Sequence, residues 1–148
     1  MHNANHAHTW VVVANNCEAT IYRLVKFPKI EEISHLEHPE SKLHNQDLVS
    51  SRPGKGSQRG GNISYSYESE TGPKHLEAVK FATYLGDYLS SAEQKKEFNR
   101  LYLFAETSFL GLLRPHINAA TKKTVVVEVP KDLMKSDIHL IEKHLADL

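Results

Sequence analysis

The apolar pattern of this chain changes period once, and the two patterns are separated by a long stretch, Pro39 to Lys74, that has neither. Before the stretch the pattern is that of strands. Thr9 to Ala14 (TWVVVA) is a short apolar run rich in β-branched residues, which suits a strand buried on both faces. Asn15-Asn16 punctuates the chain as a turn, Ala19 to Val25 alternates, and Lys26 to Lys29 reads as a second turn. Ile30 to His38 carries Ile30, Ile33 and Leu36 among Glu31, Glu32 and Glu37, a composition suited to an exposed sheet edge. The three segments are expected to form a β-meander.

After the stretch the period is helical. Leu76, Val79, Ala82, Leu85, Tyr88 and Leu89 recur at three and four, so one stripe of a helix starting near His75 faces a core. Arg100 to Ala105 reads as a strand. Thr107 to Leu113 reads as a helix capped by Thr107 or Ser108 and broken at Pro115. Thr124 to Val129 reads as a strand closed by Pro130, and Ser136 as the cap of a final helix carrying Ile138, Ile141 and Leu145. The expected fold is α/β: a single domain over residues 9–148, with a flexible tail at 1–8 and a long loop at 39–74. Its five-stranded mixed sheet follows the order β-β-β-α-β-α-β-α, as in ribonuclease-H-like layouts, with the fourth and fifth strands parallel to the first.

Charge narrows the function. Lys+Arg is 18 and Asp+Glu is 18, so the net charge is zero and a generally basic nucleic-acid coat is excluded. Against that background Ser50 to Ile63 (SSRPGKGSQRGGNI) holds Arg52, Lys55 and Arg59 with no acidic residue. It also holds Gly54, Gly56, Gly60 and Gly61, four of the chain's seven glycines. Glycines let backbone amides approach an anion, and Arg and Lys neutralise phosphate. The segment is no Walker A loop or dinucleotide fingerprint, because it neither follows a buried strand directly nor opens a helix. Its composition suits equally a solvated loop and an arm that orders on RNA phosphates. Tyr65 and Tyr67 follow it and could stack on bases, with packing the favoured alternative.

Other chemistries find less support. A metal-dependent nuclease of this layout needs paired carboxylates at the sheet, but the first strand ends in Ala14-Asn15 and Glu106 stands alone. His2, His6 and His8 lie in the tail, His35 and His38 flank the end of the meander, and His44 beside Asp47 reads as a surface hydrogen bond. Cys17, the single cysteine, is read as a small buried residue, and Ser50 and Ser51 lack a nucleophile elbow. No metal and no cofactor are expected. Met1 to His6 has neither a basic region nor an apolar run, so no export signal is expected and the expected location is cytoplasmic. No apolar run approaches the roughly 20 residues of a membrane span.

Four blocks carry a family resemblance. Trp10 to Ala14, His38 to Lys55 (HPESKLHNQDLVSSRPGK), Phe109 to Arg114 (FLGLLR) and Glu128 to Leu133 (EVPKDL) resemble the bacterial host attachment protein family, in the family's order. The resemblance implies a role in attachment to host cells. It also implies a fold similar to the central domain of archaeal and eukaryotic release factors. There a glycine-glycine-glutamine loop enters the peptidyl-transferase centre and positions water against the peptidyl-tRNA ester. The nearest match here is Gly56-Ser57-Gln58, with Ser57 in place of the second glycine, and Asn15 stands where an Asp is expected of relatives. The leading expectation is a non-catalytic RNA- or ribosome-binding module. Arg52, Lys55, Arg59, Gly54, Gly56, Gly60 and Gly61 would meet phosphate, and Tyr65 and Tyr67 are the stacking candidates. The alternatives are a protein supporting host-cell attachment, with a host surface or other protein as partner, and a peptidyl-tRNA hydrolase-like release or rescue factor using Gln58. The sequence assigns no oligomeric state.

Overall fold

The computed structural model describes residues 8–38 and 72–148. Strands β1 (Thr9–Ala14), β2 (Glu18–Lys26) and β3 (Lys29–Glu37) form the expected antiparallel meander. Helix α1 (Pro73–Gln94) leads to β4 (Arg100–Phe104), which is followed by α2 (Thr107–Leu113) and a 3-10 turn over Arg114–His116. A short helix α3 (Ala119–Thr124), strand β5 (Val125–Val129) and helix α4 (Ile138–Ala146) complete the chain. The sheet order is β3-β2-β1-β4-β5, with β4 parallel to β1 and β5 parallel to β4. This is a single α/β domain built on an open five-stranded mixed sheet.

β1 is central, and all six of its residues are buried. Trp10, Val12 and Ala14 face the core beneath α1 and α2, where they meet Phe81, Leu85, Leu89, Phe109 and Leu113. Val11 and Val13 face the opposite core, with Tyr22, Leu24, Phe104, Ile141 and Leu145 of α4. A strand with apolar side chains on both faces is stable only between two layers, which is why TWVVVA shows no polar alternation.

The ends of α1 set the path into and out of the sheet. Pro73 opens the helix, where its missing amide costs nothing. The helix therefore begins two residues earlier than His75, and Pro73 and Lys74 belong to it rather than to the long stretch. At the other end Lys96 adopts φ 63°, and its amide bonds the Glu93 carbonyl while the Glu97 amide bonds Ala92. That paired closure is a Schellman turn with lysine in the position that usually takes glycine. It directs Phe98 under the sheet, where its ring lies 4.7 Å from that of Trp10.

Several local expectations are corrected. The first residue before α2 is Glu106, with no side-chain cap, so neither Thr107 nor Ser108 caps it. Pro115 breaks that helix as expected, by entering a 3-10 turn. The segment after it forms α3, which the sequence reading lacked, so β5 starts at Val125 rather than Thr124. Asp137, not Ser136, caps α4, accepting the Leu140 amide at 2.9 Å.

One close approach ties α1 to the 3-10 turn. A Cβ added at Gly86 would lie 2.6 Å from the His116 carbonyl oxygen and 2.7 Å from the His116 Cβ, whereas at Gly111 it would meet nothing within 4 Å. The Thr83 hydroxyl, 3.2 Å from His116 Nε2, holds the same contact from the next turn. Gly86→Ala is expected to cost about 1–3 kcal/mol by forcing the two backbones apart. Gly111→Ala, in an open helical position, is expected to stabilise by about 0.5–1 kcal/mol. Urea unfolding of the two variants checks both signs.

Candidate functional site at the carboxyl edge of the sheet

In an open sheet with parallel strands, the groups best placed to act sit where those strands end. Here β1, β4 and β5 end at one edge, and the antiparallel pairing brings the start of β2 and the end of β3 to the same edge. Asn15, Cys17, Glu18, His35, Glu37, His38 and Glu106 gather there.

Asn15 closes the β1–β2 turn. Its side-chain oxygen accepts the amides of Cys17 and Glu18, each at 2.9 Å, and its own amide bonds the Glu18 carbonyl. The residue that replaces the expected Asp is thus engaged in a local turn. Cys17, expected to be buried, is instead exposed at the tip of that turn, because Asn15 folds the chain back before the thiol reaches either core. Partial burial pushes its thiol above the usual range, and the charges of Glu18, Glu37 and Asp132 push the same way.

Across β2 and β3 the register sets Glu18 opposite Glu37 and Thr20 opposite His35. Residues two apart on a strand share a face, so all four side chains lie together. His35 Nδ1 is 2.9 Å from the Thr20 hydroxyl. Its Nε2 lies 3.2 Å from a Glu18 carboxylate oxygen and 3.6 Å from one of Glu37. This constellation was not foreseen, since Glu18 and His35 come together only through strand register.

His38 marks where the 39–71 segment departs. It is buried, its amide bonds the Cys17 carbonyl at 3.2 Å, and its ring lies 6.2 Å from Phe81 and 6.4 Å from Tyr84. His35 and His38 therefore do not act as a pair, because one faces carboxylates and the other packs against α1. The segment returns at Gly72, whose carbonyl accepts the Leu76 amide at 3.1 Å as the first helical bond. Both anchors sit at the same end of the domain, since Phe81 in the first half of α1 lies against His38 while Tyr88, further along, lies against Trp10 at the start of β1. Arg52, Lys55, Arg59, Gly54, Gly56, Gly60, Gly61, Gln58, Tyr65 and Tyr67 lie outside the described residues, as do His44 and Asp47. Among the described residues the edge itself is mainly acidic, with Glu18, Glu37, Glu106 and Asp132 against Lys74 and Lys131.

The sequence profile of a family described as "Protein required for attachment to host cells" matches residues 10–145. Among curated proteins nothing matches. Among solved structures, an archaeal translation termination factor aligns with 94% of this chain and 37% of its own, at 11% identity and a TM-score of 0.45. The chain thus spans little more than a third of that structure. No helix among the described residues is long and apolar enough to cross a membrane.

The charge around Cys17 makes a kinetic statement. A raised thiol holds less thiolate at a given pH, so alkylation by iodoacetamide at pH 8 is expected to be slower than that of free cysteine. Glu37→Gln is expected to speed it. The variant should remain slower than free cysteine, because burial is the larger cause. Mass-spectrometric timing of Cys17 modification checks the order.

Proposed function

The chain belongs to the family of proteins required for attachment to host cells, and from that premise we propose that it is an RNA- or ribosome-binding module. The observation that carries this reading is the contrast between residues 50–63 and their surroundings; the full segment 39–71 is balanced, with Glu40, Asp47, Glu68 and Glu70 against Lys42, Arg52, Lys55 and Arg59. The chain is neutral overall, yet Ser50 to Ile63 bears Arg52, Lys55 and Arg59 without a compensating acid. The segment leaves from His38 and returns at Gly72 at one end of the sheet, next to a mainly acidic rim. A polyanion finds its counter-charges in residues 50–63 and not in the rim. Gly54, Gly56, Gly60 and Gly61 bring backbone amides within reach of phosphate oxygens. Tyr65 and Tyr67 supply stacking surfaces. Phosphate contact of this kind gives affinity with little sequence selectivity.

Co-sedimentation with ribosomes, and binding to single-stranded RNA across a salt series, test the reading. The wild-type protein is expected to co-migrate at low salt and dissociate as salt rises. Three phosphate contacts on a single strand contribute a slope of about −2 in log K against log salt, and Arg52→Ala/Lys55→Ala/Arg59→Ala is expected to remove about that much. Absence of co-migration at low salt would end the proposal.

A second reading, direct participation in attachment, is favoured by the family description itself. Labelling of intact cells with a membrane-impermeant amine reagent separates the two. A direct adhesin is labelled at its surface lysines, whereas complete protection restricts the protein to an indirect contribution.

A further inference from the structure

We propose that Glu18, His35 and Glu37 form a binding site for a divalent transition-metal ion of the zinc type, built on the face of the β2–β3 hairpin. The imidazole separates this group from an ordinary acidic patch, since nitrogen beside two carboxylates is a donor set that suits zinc and its neighbours better than calcium or magnesium.

The geometry agrees with that assignment. The three donor atoms, Nε2 of His35 and one carboxylate oxygen from each glutamate, all lie within 4.8 Å of one another. In a tetrahedral zinc site with bonds of about 2.0–2.1 Å, neighbouring donors stand roughly 3.4 Å apart. The two imidazole-to-carboxylate separations here, 3.2 and 3.6 Å, straddle that value. Both strands are held by backbone pairing at Glu18↔Glu37 and Thr20↔His35, so the donors are set by sheet register and not by a loop.

Thr20 supplies the orienting partner that metal-bound histidines usually have. The residue is 7% exposed, and its hydroxyl is 2.9 Å from His35 Nδ1. By accepting the Nδ1 proton it holds the ring and leaves the Nε2 lone pair aimed between the carboxylates. With the His35 side chain 37% and the Glu37 side chain 47% exposed, solvent reaches the site, so three protein donors leave at least one position for water. The inference does not depend on RNA binding, since none of its residues belongs to the cationic segment.

Calorimetric titration of zinc chloride into the full-length protein tests it. A background with His2→Ala, His6→Ala and His8→Ala removes the tail histidines. One equivalent of zinc is expected to bind in that background. His35→Ala is expected to abolish binding, Glu37→Gln to weaken it at least tenfold, and Thr20→Val to weaken it about tenfold with the fold intact by circular dichroism. Magnesium is expected not to compete. An isotherm unchanged by His35→Ala and Glu37→Gln, or one lost with the tail histidines alone, overturns the site. Should His35→Ala fail to fold, the imidazole nitrogen resonances of the tail variant decide. His35 Nε2 must shift on one equivalent of zinc, and an unmoved resonance overturns the site equally.

Discussion

The structure depends on β1 being covered on both faces. Val11, Val12 and Val13 are each no more than 1% exposed. Burying a side chain of this size contributes about 1.5–3 kcal/mol, and the contribution is realised only if layers close on both sides of the strand. One side is closed by α1 and α2, and the other by α4 at the far end of the chain. The first strand and the last helix are thereby obliged to meet, which joins sequence-distant segments into one domain. Trp10 extends the constraint to the lower end of the sheet, where Phe98 stacks on it immediately after the Schellman turn at Lys96.

The polar groups collect at one end of the sheet. β1, β4 and β5 all finish there, and the meander returns β3 to the same place. Short polar connections meet there with the two ends of the 39–71 segment, above the two hydrophobic clusters. Asn15 holds the first of these connections by side-chain bonds to two amides, so the positions of Cys17 and Glu18 follow from a turn and not from packing. His38 is packed instead, and it gives the 39–71 segment a fixed point of departure. Glu18, Glu37, Glu106 and Asp132 line the rim beside the two points, His38 and Gly72, where that segment is anchored.

Legibility in the sequence followed the strength of the local signal. The runs TWVVVA and VVVEV were readable because continuous β-branched residues bounded by turn residues have few other uses. The stripe of α1 was readable because it persists over many turns. α3 was missed because Ala119–Thr124 is short and carries only Thr121 inward, too little for a period to emerge. The cap of α4 was misplaced by one residue because Ser136 and Asp137 are both good caps, and the choice depends on which one faces the Leu140 amide. Cys17 was misread because small apolar character says nothing about which way a two-residue turn projects.

The residues by themselves determined the class of fold, the order of its strands and longer helices, the doubly buried first strand and the isolation of a cationic, glycine-rich segment. Each of these is written in neighbouring residues as period, punctuation or local charge. Tertiary structure alone decided that Glu18, Thr20, His35 and Glu37 share one face, that Gly86 must lack a side chain, and that both ends of the long segment stand at one edge. Those facts come from strand register and from the approach of distant backbones. A single residue of slip would reverse the faces without altering any local pattern.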